Sequence, residues 1–306
     1  MARRRLRRPV ISVGNIAAGG RGKTPFTAAL ARILIDLGER PAILSRGYAR
    51  TQPDDGAVVV RDARDMRADL ARAGDEPLML ARQLPGAIVI ASADRYLAGR
   101  LAEHHLGATV HLLDDGFQHF QLDRDIDIVL VTASDLAGAS TFPTGRLREP
   151  ADVLIAADAI VGIDDAAVPA GQAPVFRARR RTDPAVFVGP SGDTASRKVF
   201  ALAGVAEPRA FFAALPVDGW TVVGEKFYPD HHAYSARDVR GVFADARAAG
   251  AAAVLTTEKD YVRLLPHRPF PLRVGWVPLT MEPEPAAEFR EWLITSMASA
   301  RDIVLV

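Results

Sequence analysis

One short stretch constrains this chain more than any other: Gly19-Gly20-Arg21-Gly22-Lys23-Thr24. It follows an apolar run, Pro9–Val13, that reads as a strand. It precedes a helical pattern, Lys23–Leu37, in which Phe26, Leu30, Ile33, Leu34 and Leu37 line one face. Gly38 ends that helix. Strand, glycine-rich turn and helix form the context that a phosphate-binding loop requires. The glycines let successive backbone N–H groups face phosphate oxygens, and the helix N-terminus adds its partial positive charge. Lys23 is placed to reach the β- and γ-phosphates of a nucleotide, and the Thr24 hydroxyl to ligate Mg²⁺. The usual first glycine of such a loop is replaced by Ala17.

The rest of the chain supports a sheet built around that loop. Ala42–Leu44, Ala87–Ala91, Val110–Leu113 and Ile126–Val131 are short apolar runs, separated for the most part by helical stretches such as Tyr96–His105. Continuous apolar strands between helices indicate a parallel sheet covered on both faces. The expected fold is therefore α/β: a P-loop NTPase-like parallel sheet flanked by helices, with a second, smaller α/β lobe. Residues 1–165 are read as the nucleotide-binding and catalytic lobe. Residues 166–197, rich in Pro, Gly, Asp and Arg, are read as a linker with short strands. In residues 198–306 strands Val199–Ala203, Thr221–Val223, Ala252–Thr256 and Leu272–Val277 alternate with helices Pro208–Leu215, Ser235–Ala249 and Ala286–Ser296, a second lobe expected to close a cleft.

Composition removes several classes of chemistry. The chain has 306 residues, 49% hydrophobic and 25% charged, enough to bury a real core. There is no Cys, hence no thiol nucleophile, disulfide framework or cysteine metal site. Lys+Arg is 38 against 37 Asp+Glu, so net charge selects no partner, and no nucleic-acid partner is expected. Arg3, Arg4, Arg5, Arg7 and Arg8 form a basic arm that could adsorb to anionic lipid or be a solvated terminus. No apolar run approaches the ~18 residues of a membrane span, and no signal peptide is present, so the expected compartment is the cytoplasm. Lys occurs only at Lys23, Lys198, Lys226 and Lys259, which makes each a functional candidate in an Arg-biased chain.

Other motifs are ambiguous when read singly. Asp114-Asp115-Gly116 ends a buried strand, where carboxylates hold Mg²⁺ or its water, but Asp-Gly also closes ordinary turns. Gly74-Asp75-Glu76-Pro77 is either a helix start capped by Asp75 or a carboxylate base beside an acceptor hydroxyl. His231 and His232, and His119, are each surface, core or site residues. Lys259, in Thr256-Thr257-Glu258-Lys259-Asp260, stands at a carboxyl strand edge where α/β sites form, or follows a simple Thr257 cap. Arg46, Arg95 and Arg148 offer bidentate phosphate recognition or are solvated turn residues.

Taken in order, the motifs are specific. Ser12-Val13-Gly14-Asn15, the Gly19–Pro25 loop, Ser45–Tyr48, Gly74–Pro77, Asp114–His119, Gly145–Pro150, Asp230-His231 and Thr257–Asp260 together closely resemble the tetraacyldisaccharide 4′-kinase family. The resemblance runs from about Pro9 to beyond Asp260. It implies ATP- and Mg²⁺-dependent transfer of the γ-phosphate to the 4′-hydroxyl of an acylated glucosamine disaccharide 1-phosphate, giving lipid IV-A for lipopolysaccharide. It further implies that Ala17, Ala18, Gly19, Gly20, Arg21, Gly22, Lys23 and Thr24 bind ATP. Asp75 would act as base with His231, beside Lys23 and Asp115. Thr24, Asp114 and Asp115 would serve the metal, and Arg46, Glu76, Arg95, His119 and Arg148 the substrate. It places the protein on an anionic membrane, peripherally at the inner face of the inner membrane. Family members typically carry Thr or Ser at the Ala17 position, and an apolar N-terminal segment where this chain has its arginines.

Two readings compete. A metal-delivery GTPase would need an Asn-Lys-x-Asp string to read guanine, and the chain has none. A non-catalytic nucleotide-binding module would leave Asp75, the paired carboxylates and the Arg turns without a task.

Overall fold

The computed structural model describes residues 3–19, 22–48, 50–52, 56–164, 166–168, 171–190 and 196–305. The chain forms two compact units, one running up to Arg181 and resuming from Thr280, the other spanning Thr182–Leu279.

In the first unit the strands are β1 Val10–Asn15, β2 Pro41–Ser45, β3 Ala57–Arg61, β4 Ile88–Ser92, β5 Val110–Asp114, β6 Ile126–Val131, β7 Ala159–Ile163 and β8 Val175–Thr182. The second unit contributes β9 Val186–Val188, β10 Lys198–Ala203, β11 Thr221–Phe227, β12 Ala253–Thr257 and β13 Arg273–Val277, after which β14 Leu279–Glu284 returns to the first. Among the described residues the first unit holds a nine-stranded sheet in the order β14-β8-β7-β6-β1-β5-β2-β4-β3. Pairing from β8 to β4 is parallel, and β3 is antiparallel to β4. Strands β1, β2, β4, β5 and β7 are buried along their whole length, as expected where helices cover both faces. The helices are α1 Lys23–Asp36, α2 Leu70–Ala73, α3 Asp75–Gln83, α4 Arg95–Leu101, α5 Ala133–Leu136, α6 Pro208–Val217, α7 Ala236–Ala248, α8 Glu258–Leu264 and α9 Ala286–Leu305. After β1 the chain crosses to β2 on one side of the sheet, and β6 lies on the other. The carboxyl end of β1 is thus a switch point, where a crevice for ligand opens in such sheets.

The second unit is a five-stranded sheet, β11-β10-β12-β13-β9, parallel except at β9. One face is filled by Phe200, Leu202, Val242, Phe243, Val254 and Tyr261. The other face packs Val199, Ala201, Phe212, Leu215 and Leu255.

Three expectations are corrected. The region read as a linker, 166–197, contains β8, a full member of the large sheet. The segment assigned wholly to the second lobe, 198–306, loses β14 and α9 to the first unit. The reason is an apolar stripe: Phe289, Leu293, Met297 and Ala300 are all buried on one face of α9. The Phe289 ring stands edge-on to Phe176 of β8 at 5.0 Å and to Phe26 of α1 at 6.0 Å. The basic arm is not wholly solvated either. Arg4 forks onto Asp94 at 2.9 Å and lies over the Tyr96 ring, Arg5 pairs with Asp125 at 2.6 Å, and Leu6 between them is buried.

Phe289→Ala should lower unfolding free energy by about 3–5 kcal/mol, since it empties a buried aromatic site. Denaturant titration reads this directly. A loss under about 1 kcal/mol would show that α9 is not part of the first unit's core.

Candidate active site

The site begins with the register between β1 and β5, which sets Val13 opposite Asp114. Gly14 makes the next step possible. A Cβ there would stand 2.3 Å from Cβ of Phe117, so only glycine lets the turn after β5 cross the end of β1. Gln118 Nε2 then donates to the carbonyl of Asn15 at 2.9 Å. The loop after β1 leads into α1 through Gly22, which is left-handed at φ 81° and caps the helix. A Cβ on Gly22 would also meet Met281 Sδ of β14 at 2.8 Å, so the returning strand backs the loop. Gly20 and Arg21 of the expected ATP loop lie outside the described residues. Ala17 is buried and bridges to Leu147, while the Ala18 N–H donates to the carbonyl of Arg146 at 2.8 Å.

Lys23, first residue of α1, donates to Asn15 Oδ1 at 3.1 Å and stands 3.3 Å from Asp115 Oδ1. Thr24 and Thr27, one helical turn apart, donate to the two oxygens of Asp114 at 3.3 and 3.2 Å. Arg148 Nη1 contacts both Asp115 oxygens at 3.1 and 3.2 Å and Gln118 Oε1 at 3.3 Å. Asp115 itself sits at φ 58°, a conformation that costs a non-glycine residue and recurs where structure is bent to a task. Of these, Lys23, Thr24, Asp114, Asp115 and Arg148 are expected from sequence, and they come together at one sheet edge.

The electrostatics separate the two aspartates. Burial drives the Asp114 carboxyl upward, the Glu76 and Asp115 carboxylates add to the rise, and it reaches about 7. Burial also works to raise Asp115, but the Lys23 ammonium and the Arg148 guanidinium outweigh it and hold the carboxyl below its usual range. Asp75 is 2% exposed in the first turn of α3, where its Oδ1 accepts from the Glu76 N–H at 2.9 Å. The helix cap is Gly74, not Asp75.

Arg95 is buried, with Nη1 donating to the carbonyls of Ser92 and Ala93 at 3.0 and 3.1 Å. Burial, then the like charge of Arg46, brings its guanidinium down to about 10. The same crowding, with burial first, lowers His119, whose Nε2 is buried with no hydrogen-bond partner among the described residues. Concentrated positive charge of this kind suits a phosphate. His231 belongs to the second unit, where its Nε2 stands 3.1 Å from Lys259 Nζ.

Asn15, Thr27 and Gln118 carry contacts that sequence reading left without a role. Thr27 was findable from its helical spacing to Thr24. Asn15 and Gln118 depend on the β1–β5 register. Asn15 Nδ2 is a buried donor without a partner among the described residues, as a loop built for phosphate oxygens would leave it. The donor set also fits Mg²⁺. Thr24, Asp114 and Asp115 supply hard oxygens, and a divalent cation would relieve the carboxylate crowding that raises Asp114. Among the described residues no group of three His, Asp or Glu is set to hold a metal unaided. Mg²⁺ accommodates this, because it takes one or two carboxylates and completes its shell with water and substrate phosphates.

Fold and site together define a P-loop nucleotide-binding protein with a kinase-like pair of carboxylates. The family model for LpxK, tetraacyldisaccharide-1-P 4′-kinase, matches residues 1–298. The tetraacyldisaccharide 4′-kinase of Pelobacter propionicus is 40% identical over 86% of this chain and 75% of its own length. That of Geobacter sulfurreducens is 40% identical over 92% and 81%. A crystal structure of the "apo" form of LpxK from Aquifex aeolicus in complex with ATP superposes with a TM-score of 0.80 at 31% identity, covering 97% of this chain and 91% of that one. The chain belongs to the tetraacyldisaccharide 4′-kinase family.

A carboxylate raised by burial makes the nucleotide-free, Mg²⁺-free protein less stable as pH rises. Between pH 4 and about 7 the folded state binds the Asp114 proton that the unfolded chain releases, so this contribution is lost upward through that window and is gone above it. Asp114→Asn should therefore melt increasingly above the native protein as pH goes from 5 to 8, by a few degrees in scanning calorimetry. A melting difference independent of pH would mean that Asp114 titrates as an ordinary carboxylate.

Proposed function

We propose that this chain transfers the γ-phosphate of ATP to the 4′-hydroxyl of an acylated glucosamine disaccharide 1-phosphate through the residues gathered at the carboxyl edge of the first sheet. Membership of the family makes it a kinase of lipid A biosynthesis that uses ATP with Mg²⁺. The observation that carries the residue assignment is the convergence of Lys23 and Thr24 with Asp114, Asp115 and Arg148 within hydrogen-bond or ion-pair reach. The GTPase and non-catalytic alternatives are not favoured.

The roles follow from the chemistry of each group. Ala17–Thr24 wrap the phosphates with backbone N–H groups, and Lys23 exchanges its contact with Asp115 for the transferring phosphoryl oxygens. Thr24, Asp114 and Asp115 would hold Mg²⁺, which supplies charge neutralisation on the phosphates when bound. Asp75 accepts the proton of the 4′-hydroxyl as its oxygen bonds to phosphorus and the bond to ADP breaks. His231, matched to the family's histidine, is assigned to the same proton transfer. Arg46, Arg95, Glu76 and His119 are assigned to the disaccharide and its 1-phosphate, for which the Arg46–Arg95 charge is suited. Arg148 orients Asp115.

The lipid acceptor requires contact with a membrane. No helix among the described residues is long and apolar enough to cross one. We infer peripheral attachment at the inner face of the inner membrane, with the exposed Arg3, Arg7 and Arg8 as the free part of the basic arm. Each is worth about 1 kcal/mol near an anionic surface. The triple change of these residues to Ala should weaken co-sedimentation with anionic vesicles at low salt. Equal sedimentation would assign attachment to another surface.

Lys23→Ala should abolish transfer in a protein that melts normally, followed by mass analysis of the phosphorylated disaccharide. Asp75→Ala should lower kcat by about 10²–10⁴-fold while ATP binding is kept. If Asp75 and His231 act in one proton transfer, the double variant is scarcely slower than Asp75→Ala alone. Near-native turnover of Lys23→Ala would remove the ATP-loop assignment, and multiplicative losses would separate Asp75 from His231.

A further inference from the structure

The second unit has its own polar constellation at the carboxyl edge of its sheet. Strands β10, β11 and β12 run parallel, so the segments that leave their carboxyl ends lie side by side. The segment after β11 carries Asp230, His231 and Tyr234, and α8 starts directly after β12 with Lys259, Asp260 and Arg263.

The anchor is Asp260, which is wholly buried. Its Oδ2 accepts from the Gly204 N–H at 2.9 Å and from the Thr257 hydroxyl at 2.7 Å. Its Oδ1 accepts from the Tyr234 hydroxyl and from Arg263 Nη1, both at 3.0 Å. Burial and the neighbouring Asp260 charge raise the Tyr234 hydroxyl, so it stays a donor. Arg263 also donates to the Gly204 carbonyl at 2.6 Å and turns Nη2 toward Asp230 at 3.8 Å. With the first turn of α8 fixed in this way, Lys259 is directed at the β11 segment. Its Nζ is 3.5 Å from Asp230 Oδ1 and 3.1 Å from His231 Nε2. The His231 backbone is held left-handed at φ 60°, and its N–H donates to Asp230 Oδ1 at 2.9 Å. A non-glycine residue keeps that conformation only where its surroundings over-determine it.

An ammonium group has hydrogens and no lone pair. With Nζ protonated, Nε2 of His231 is the acceptor in this contact; the other group beside it, Asp230 Oδ2, stands 3.8 Å away, beyond hydrogen-bond reach, which leaves the proton of the neutral ring to Nδ1. We propose that Lys259 is a positioning residue that locks His231 in its Nδ1–H tautomer. His231 then takes part in catalysis as an N–H donor, and the proton acceptor of the transfer is a carboxylate. An ordinary surface ion pair would not achieve this. Lys259 differs because its side chain is 17% exposed and its helix is pinned by a buried carboxylate. The inference rests on the reading that His231 serves the transfer.

The test is a long-range ¹⁵N–¹H correlation spectrum of the full chain without nucleotide, at a pH where the ring is neutral, with the His231 signals assigned by loss in His231→Gln. The native protein should show the Nδ1–H pattern. Lys259→Met should move the ring toward Nε2–H and lower kcat by about 10²-fold with little change in KM for ATP, as expected when a group is displaced rather than a ligand lost. Lys259→Arg, which keeps a donor, should retain the native tautomer. An Nε2–H ring in the native protein overturns the proposal without any variant, and so does a tautomer unchanged in folded Lys259→Met. If the tautomer moves and kcat does not, the positioning role is overturned. If His231→Gln is then also fully active, the failure belongs to the reading of His231 rather than to the Lys259 contact.

Discussion

Carboxylates crowded into a buried strand end repel one another, and the first unit is arranged around that cost. Asp114 is 5% exposed, with the charges of Asp115 and Glu76 near it. Two threonine hydroxyls on α1 and the Lys23 ammonium are the protein's own partial answer. On the proposed reading a nucleotide with its divalent cation would complete it, which would tie ligand affinity to the stability of the fold. The arrangement also divides labour. Asp115 is drawn down by Lys23 and Arg148 and stays charged, whereas burial and its carboxylate neighbours hold Asp114 toward the protonated form.

Around this centre, backbone geometry does as much as side-chain chemistry. Gly14 admits the turn carrying Asp115 and Phe117, and Gly22 turns the loop into α1 against Met281. The segment that supplies Met281 and Phe289 leaves the second unit and rejoins the first, so the wall of the phosphate loop is built from both ends of the chain. Rigid backing of this kind holds N–H groups at fixed positions, where they stabilise charge without reorganising.

The second unit also places a buried carboxylate at its centre. A buried carboxylate, Asp260, organises Arg263 and the first turn of α8, and so aims Lys259 at His231. In the first unit a strand end delivers the acid and the N-terminus of α1 the cation; in the second, acid and cation both stand in the first turn of α8.

Much of this was legible in the residues themselves. The glycine-rich loop, the helical stripe behind it and the run Asp114–His119 name a phosphate site by local chemistry alone, because glycine conformations, helix ends and apolar periodicity are properties of short segments. Most strand and helix positions followed for the same reason. What sequence could not assign was partnership. The strand β8 looked like linker because its Arg-rich run, Arg177–Arg181, hides its period, and its outer residues are exposed. The helix α9 was legible as a helix but not as a companion of Phe26 and Phe176, since an apolar stripe specifies burial and not the surface that buries it. Likewise Asn15 and Gln118 acquire their contacts from the β1–β5 register, and Lys259 its target from the parallel alignment of β11 and β12 with β10. The sequence by itself determined the family and marked Lys23, Thr24, Asp114, Asp115 and Arg148 as candidate groups. The tertiary structure decided which of them meet and how they are charged, because charge state follows from burial and from neighbours that are distant along the chain.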